Sequence, residues 1–313
     1  MAEELRVIGF QVDRKRYGPQ VDGQQLSEGG GGREFQRVAD HVRGRIADGT
    51  YPLRSFLPSQ RDLAEELGVS RDTVQRALRE LVNEGWIESR QGSGSRVIKT
   101  QRIQSSAAKA TRLPREVTLA PFISEAFEQP EVTLDVYTLT SESLDAHIRL
   151  QAERIRGRYI SPQRITLRML LPDPALELPY PRVKDDRNDL RLRQRLRTIT
   201  DSHTASLQGA LKDLQTEGLV PSVDLRIRHT PLTPTFKVYL LNDAEALHGM
   251  YEVIERPTEL EAGEVITALD VLGLGATLTH HVKDGDETSL GSVFVDSMRQ
   301  WFDSVWNLLS TDA

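Results

Sequence analysis

Three short helical patterns followed by a glycine-rich hairpin, all within residues 34–100, constrain this fold more than any other feature. The first pattern repeats apolar residues at helical spacing and ends at Gly49. The second begins at Ser59, whose hydroxyl can cap a helix, and ends at Gly68. The third begins at Ser70 with the spacing of one buried helix face. Its apolar residues are Val74, Ala77, Leu78, Leu81 and Val82.

The strand-like runs WIESR and SRVI follow the third pattern and flank a turn at residues 91–94. Glycines in that turn predict a hairpin with Gln91 and Gly92 at its tip. Only residues 68–70 separate the second and third helices, so these two form a helix-turn-helix. With the hairpin as a wing, residues 34–100 are predicted to be a winged helix-turn-helix domain.

The third helix places polar side chains outside its apolar face. Arg71 and Arg79 can recognise guanine in a bidentate manner, and Gln75 can read adenine. Thr73 lies near the first turn, and the capped N-terminus at Ser70 offers N–H groups to phosphate. The pattern predicts a helix that enters the major groove of double-stranded DNA. A unit used only for protein contacts would have the same apolar faces, but the wing and the polar face favour DNA.

The string LPSQRDLAEELGVSRDTVQRALRELVNEGWIESRQGSGSRVI closely resembles the winged-helix domain of GntR-type bacterial regulators. The shared elements are the LPS-x-R-x-LA opening, the GVSR-x-TV turn and the R-x-G-x-G wing. The resemblance implies that Arg61 contacts phosphate or base, that Arg71 and Thr73 act from the recognition helix, and that Gly92 lies at the wing tip. Gln75 stands where some relatives carry arginine, which leaves the base preference open there. The resemblance also implies a homodimer on a near-palindromic site and a second domain that senses a small molecule.

Composition excludes several kinds of site and segment. The chain has no cysteine, so it has neither a disulfide framework nor a cysteine metal site. No apolar run reaches the roughly 18 residues of a membrane helix, and the N-terminus lacks a secretory pattern. These features predict a protein of the microbial cytoplasm, without cofactor or membrane partner. The net charge of −6 decides little, because one small domain can carry a basic face of its own.

The remainder of the chain divides by composition. Residues 1–33, with a four-glycine run, are predicted to be a disordered tail, and residues 101–115 a linker. Residues 116–313 are predicted to form an effector-binding and dimerisation domain. Strands alternate with helices there, which indicates an α/β mixed sheet and an α+β two-domain protein overall. The predicted strands are 132–139, 165–173, 223–229, 236–242, 249–255, 264–271 and 276–282, and the helices are about 141–158, 188–217 and 290–309.

Several types of second domain accompany this DNA-binding module. An all-helical metal-dependent type needs an Asp and three His on packed helices, but only His147 and His203 fall on the helices predicted in this domain, so no metal site is predicted. A chorismate-lyase-like antiparallel type fits residues 223–282 only. The preferred interpretation is an α/β domain with a faint similarity to the phospholipase-D-like sensor domains of some sugar-responsive regulators.

That similarity raises an enzymatic alternative. His281 and Lys283 form an H-x-K tripeptide like that of phospholipase-D-type phosphodiesterases, in which the histidine forms a phospho-enzyme intermediate. Thr288 stands where the aspartate of that motif is expected, and the chain has no second copy. A strand-end loop is therefore the preferred interpretation, and the protein is predicted not to be an enzyme.

Two further patterns have open interpretations. The arginine-rich run 187–197 fits either the solvated side of an amphipathic helix or a contact with an anionic effector. The aromatic stripe of Phe294, Trp301, Phe302 and Trp306 fits core packing or a pocket wall. The sequence as a whole predicts a ligand-responsive, DNA-binding transcriptional regulator whose expected action is repression. The alternatives are the phosphodiesterase and a constitutive DNA-binding scaffold for a protein partner.

Overall fold

The structure divides into a small helical N-terminal unit and a larger unit built on an eight-stranded sheet. This confirms the predicted α+β two-domain arrangement. The computed structural model describes residues 28–90, 94–98, 102–105, 119–260, 264–273 and 276–313. Within these ranges, no helix combines the length and the apolar character that crossing a membrane requires.

The N-terminal unit contains three helices and a two-stranded antiparallel hairpin. Its elements are α1 (Glu28–Ala47), α2 (Gln60–Leu67), α3 (Arg71–Glu84), β1 (Ile87–Arg90) and β2 (Gly94–Val97). In the hairpin, Arg90 pairs with Gly94. Apolar residues of all three helices and of the hairpin form one core, which includes Val38, Val42, Ile46, Leu63, Val74, Leu81, Trp86, Ile87 and Val97. The predicted apolar stripes are therefore the buried faces.

The C-terminal unit contains eleven strands and four helices among the described residues. These are β3 (Arg102–Ser105), α4 (Ala120–Phe127), β4 (Glu131–Tyr137), α5 (Glu142–Arg156), β5 (Arg164–Pro172), β6 (Arg182–Val183), α6 (Arg191–Thr216), β7 (Ser222–Thr230), β8 (Phe236–Leu241), β9 (Glu245–Met250), β10 (Val253–Glu259), β11 (Val265–Val271), β12 (Thr277–Val282), α7 (Leu290–Leu308) and β13 (Thr311–Asp312).

The large sheet has the strand order β13-β7-β5-β4-β8-β9-β12-β3. Strands β4, β5 and β7 are parallel, and α5 and α6 connect them. Strands β8, β9 and β12 continue the sheet in antiparallel fashion on the other side of β4. A separate antiparallel sheet has the order β10-β11-β6. The chain order thus reverses at β4, the centre of the large sheet.

Helices cover both faces of the large sheet. Successive side chains of a strand point to opposite faces, and Val132, Leu134 and Val136 of β4 pack with apolar residues of α4, α5 and α6. Tyr137 belongs to the other face, where α7 contributes Phe302 to the core. The rest of the aromatic stripe belongs to the same cluster, which supports core packing over a pocket wall.

Most predicted elements of this unit are confirmed within three residues, but one strand is not. The segment 249–255, predicted to be one strand, contains the end of β9 and the start of β10, which lie in different sheets. Tyr251, between them, is buried, and its hydroxyl lies 3.1 Å from the Thr138 hydroxyl. An apolar run alone cannot show that the chain leaves one sheet for another.

Two boundaries also differ from the prediction. Helix α1 begins at Glu28, so residues 28–33 of the predicted tail have helical backbone, and residues 1–27 lie outside the described residues. Glycines carry neither an apolar period nor a cap signal, so the pattern gave no earlier start. Strand β3 lies inside the predicted linker and pairs with β12 at the edge of the large sheet.

Candidate DNA-binding surface

Capping residues define the turn between α2 and α3. The Ser59 hydroxyl accepts a hydrogen bond from the Asp62 N–H at 3.2 Å, and the Ser70 hydroxyl accepts one from the Thr73 N–H at 3.1 Å. Gly68 ends α2 at φ +64°, a conformation that favours glycine. These contacts confirm the predicted helix boundaries and fix the chain between the two helices.

The polar face of α3 is open to solvent. Its exposed residues are Arg71, Asp72, Gln75, Arg76 and Arg79, while Val74, Ala77, Leu78 and Leu81 are buried. The predicted readers Arg71, Gln75 and Arg79 therefore share one exposed face. Residues 34–100 contain eleven Lys and Arg against ten Asp and Glu, so the domain is nearly neutral. Helix α3 carries three arginines and three acidic residues, but among its fully exposed residues the three arginines stand against Asp72 alone.

Arg76 is an exposed arginine that the sequence prediction missed. Its guanidinium carbon lies 4.9 Å from the centre of the Phe35 ring of α1, within cation–π distance. The contact holds the side chain at the border between α1 and the polar face of α3. Helical spacing was the signal that would have found it, because Arg76 follows Gln75 and precedes Arg79 by three positions.

The two residues at the start of α3 have different exposures. Ser70 is exposed, whereas the Thr73 side chain is only 9% exposed. The Thr73 hydroxyl lies 2.9 Å from the Ser70 hydroxyl, so it supports the helix cap. Contact of Thr73 with DNA stays a prediction that would have to coexist with this structural role.

The remaining predicted contacts lie at the two sides of α3. Arg61 is exposed in the first turn of α2. Gln91 and Gly92, predicted at the wing tip, lie outside the described residues. The base of the wing is fixed to the loop before α2, because the Arg96 Nε donates to the Arg54 carbonyl at 2.8 Å.

A network of buried and half-buried charges joins the two domains, and the sequence gave no sign of it. We call it the junction network; its members are Asp40, Arg43, Glu84, Asp145, Arg149 and His203. Arg43 of α1 donates to both oxygens of Glu84, the last residue of α3, at 2.8 and 2.6 Å. Arg149 of α5 pairs with Asp40 of α1 at 2.6 Å. Helix α3 is thereby connected to the C-terminal domain by ion pairs.

His203 of α6 completes the junction network. Its Nδ1 lies 2.8 Å from Asp145, and its Nε2 lies 3.6 Å from Glu84. Burial alone would lower the pKa of His203, but the hydrogen bonds to Asp145 and Glu84 raise it to about 10. The imidazole is therefore protonated at neutral pH.

The same residues include a group at metal-ligand spacing. Ligand atoms of Glu84, Glu142 and His203 lie within 4.8 Å of one another. A histidine must have a neutral imidazole to bind a metal. His203 is protonated, and Arg43 donates hydrogen bonds to both oxygens of Glu84. The group suits a charge network better than a metal. His147, the other histidine on a helix of the C-terminal unit, is buried, and burial lowers its pKa to about 4.

The H-x-K tripeptide has structural contacts. The His281 ring stacks on Phe294 with ring centres 3.8 Å apart, and its Nε2 lies 3.0 Å from the Thr279 hydroxyl. The Lys283 ammonium pairs with Asp296 of α7 at 2.7 Å. These contacts fasten the end of β12 to α7, as the strand-end interpretation expects.

The arginines of the run 187–197 have different environments. Arg191 pairs with Asp189 and Glu264, and Arg193 pairs with Glu177 at 2.8 Å, all near the surface. Arg195 instead lines a cavity at the junction between the domains. The surface ion pairs of Arg191 and Arg193 fit the solvated-face interpretation. Contact of the run with an anionic effector stays a prediction.

Comparison with known proteins identifies the class of the N-terminal unit. Residues 35–97 match the family described as bacterial regulatory proteins, gntR family. They form a helix-turn-helix domain of this family, which confirms the resemblance in the sequence.

Relatives are regulators that share this part of the chain. Rv0494 of Mycobacterium tuberculosis, named an uncharacterized HTH-type transcriptional regulator, is 47% identical over 63 residues, which cover 20% of this chain and 26% of that protein. MngR of Escherichia coli, the mannosyl-D-glycerate transport/metabolism system repressor, is 37% identical over 84 residues, 27% of this chain and 35% of the repressor. The matches thus span about a quarter to a third of these relatives. A crystal structure of the AraR DNA-binding domain with operator ORR3 is 27% identical and covers 26% of this chain and 92% of that one, with a TM-score of 0.20.

Proposed function

We propose that this protein is a transcriptional regulator that binds operator DNA through residues 35–97. The observation that carries the proposal is the gntR-family match over the segment in which Arg71, Gln75 and Arg79 share one exposed helix face. Arginine suits guanine and glutamine suits adenine in the major groove. Arg61, Ser70, Thr73, Gln91 and Gly92 are the other assigned DNA contacts.

The protein acts as a homodimer in this proposal. A single DNA-binding module buries roughly 600–1,000 Å² on DNA, which is at the low end for specific binding. Two copies on half-sites about one helical turn apart supply the missing contacts. The C-terminal domain, with its two sheets, is the unit assigned to dimerisation and to an effector.

Repression in the cytoplasm is the proposed outcome of DNA binding. MngR is named a repressor, as is a relative from Halalkalibacterium halodurans named for arabinose metabolism. The relatives are named as regulators, and His281 and Lys283 have structural partners, so we assign no enzymatic activity. A small molecule that binds only the folded protein raises its apparent stability, which separates this regulator from a ligand-free scaffold.

Selection of binding sites tests the proposal. The full-length chain is used to enrich duplexes from a random library, and sedimentation then measures how many chains bind each enriched duplex. The proposal predicts an inverted repeat that carries two chains. If the selection enriches no sequence, DNA recognition is contradicted. If one chain binds an asymmetric site, the homodimer is contradicted.

A further inference from the structure

A cavity lies where the two domains meet. Its wall includes Thr138 after β4, Arg195 of α6, Lys237 of β8 and Arg256 of β10, together with Glu84 at the end of α3. The cavity measures about 90 Å³. A single water needs about 10–15 Å³ on the same measure, so the space suits a small metabolite.

The cavity lies at a position where sheets of this kind bind ligands. Strand β4 pairs with β5 in parallel and with β8 in antiparallel fashion, and the chain order reverses there. Open α/β sheets bind ligands beyond the carboxyl ends of their strands at such a switch point. Thr138 and Thr140, which line the cavity, follow the carboxyl end of β4 directly.

The cavity wall contains three cationic side chains and three carboxylates: Arg195, Lys237 and Arg256, and Glu84, Glu142 and Asp270. Arg256 donates to Asp270 at 2.7 Å, and Arg195 faces the same space from α6. Burial and the charge of Arg256 both lower the pKa of Arg195. Lys237 is buried and donates to the Gly273 carbonyl. An anion that contacts both guanidinium groups would relieve their repulsion.

Hydroxyl groups complete the wall. Thr258 is 5% exposed, and its hydroxyl has no hydrogen-bond partner among the residues that the structure describes. Such a buried, unpaired polar atom is unfavourable unless a ligand or water satisfies it. The Tyr251 and Thr138 hydroxyls, 3.1 Å apart, lie in the same wall. A ligand that carries hydroxyl groups of its own matches this surface.

We propose that the cavity binds a small hydroxylated metabolite that carries a carboxylate or phosphate group. Arg195 and Arg256 hold the anionic group, and Thr258 hydrogen-bonds a ligand hydroxyl. This metabolite is the effector of the regulator, and that part of the inference rests on the proposed function.

Glu84 connects the ligand to DNA binding. It lines the cavity, and it is also the residue of α3 that accepts both hydrogen bonds from Arg43. Arg195 and Glu84 attract each other electrostatically. An anion bound to Arg195 competes with that attraction and repels Glu84. The repulsion weakens the hydrogen bonds between Glu84 and Arg43 at the C-terminal end of α3. The bound anion therefore lowers operator affinity.

Calorimetric titration of the full-length protein without DNA tests the site. The probes are D-gluconate, D-glucose 6-phosphate and uncharged D-glucose, each up to about 10 mM, which covers weak binding. We expect at least one of the two charged probes to bind and glucose not to bind. The charged probe that binds shows whether the site takes a carboxylate or a phosphate group. Arg195→Met weakens this binding at least tenfold. Arg193→Met, on the same helix but paired with Glu177 at the surface, leaves it unchanged.

A second variant tests the site in case Arg195→Met does not fold. Thr258→Val keeps the side-chain shape and removes the hydroxyl, so the protein folds and binds the charged probe more weakly. The site is overturned if neither charged probe binds the wild type, or if binding survives both Arg195→Met and Thr258→Val unchanged.

Anisotropy with the selected operator tests the coupling separately. The charged probe lowers operator affinity at least fivefold, the low end of allosteric coupling, in the wild type and not in Arg195→Met. Probe binding with unchanged operator affinity would overturn the coupling through Glu84. A chain that binds the probe through Arg195 but selects no DNA would refute the proposed function and leave the site assignment standing.

Discussion

His203 shows how single residues connect the two domains. The side chain belongs to α6, yet it contacts Glu84 of the DNA-binding unit and Asp145 of α5. Glu142 also faces it, and Arg43 and Asp40 complete the charges around it. An imidazolium in this place balances buried carboxylates, so its proton is part of the folded structure.

The proton on His203 makes stability depend on pH. The pKa of His203 is about 10 in the folded protein, above the unfolded value near 6.5. Its protonated side chain therefore contributes fully to the free energy of unfolding below about pH 6.5, and this contribution is lost as the pH rises to about 10. Between these limits the free energy of unfolding falls by up to about 1.4 kcal/mol per pH unit because of this group. Denaturant unfolding of the wild type and of His203→Gln from pH 6 to 10 measures it. We expect a flatter profile in the variant; parallel profiles would contradict the assignment.

At the scale of elements, α3 is held differently at its two ends. The Ser70 cap fixes the N-terminus with local hydrogen bonds. Glu84 fixes the C-terminus with ion pairs to α1, and these pairs lead on to α5 and α6. Ala146 of α5 also packs into the core of the DNA-binding unit. The C-terminal domain is thus in contact with the C-terminal end of α3.

Removal of Arg43 tests the junction network. Arg43→Met removes the cation that donates to both oxygens of buried Glu84, which keeps only the longer contact to His203. We expect a loss of about 3–5 kcal/mol in the free energy of unfolding. Glu84→Gln lowers the free energy of unfolding less in the Arg43→Met background than in the wild type, because the Glu84 carboxylate has then already lost its arginine partner. A double-mutant cycle from chemical denaturation gives the coupling energy, expected at about 1–3 kcal/mol. Additive effects would show that the pair is not coupled.

Helix α7 offers a second test at this scale. Phe302 is fully buried against the sheet, with the Arg168 guanidinium 5.1 Å from its ring centre. Phe302→Ala should cost about 3–5 kcal/mol, as buried aromatic residues do. Leu308→Ala on the same helix, at an 85% exposed position, should change stability by less than about 0.5 kcal/mol. Equal, small effects in urea unfolding would contradict the core role of the aromatic stripe.

For the whole molecule, the sequence predicted what local chemistry determines. Ser70 and Gly68 mark helix ends through their own side chains and conformations, so the helix-turn-helix was predictable residue by residue. The alternation of strands and helices predicted the mixed sheet. Within the candidate surface, the exposed face of Arg71, Gln75 and Arg79 followed from the apolar stripe on the opposite side.

What the sequence did not predict depends on contacts between distant segments. Arg43 and Glu84 are 41 positions apart, and nothing local to either marks the pair. The second sheet depends on where the chain turns after Met250, and the cavity depends on how that sheet faces α6. The arginine run could not reveal that Arg195 lines the junction cavity while Arg191 and Arg193 pair near the surface. Packing between elements determines each of these.

An anisotropy titration tests the central claim, that α3 reads a specific operator, most directly. The wild type, Arg71→Ala and the control Arg226→Ala are compared on the selected operator and on random duplex at one salt concentration. Arg226 is a matched surface arginine on β7, 64% exposed and paired only with Asp224 among its described ion pairs. The account predicts that the wild type and Arg226→Ala prefer the operator about 10³-fold or more, and that Arg71→Ala loses about 1–3 kcal/mol of that preference. Equal binding of all three proteins to operator and random DNA would contradict it.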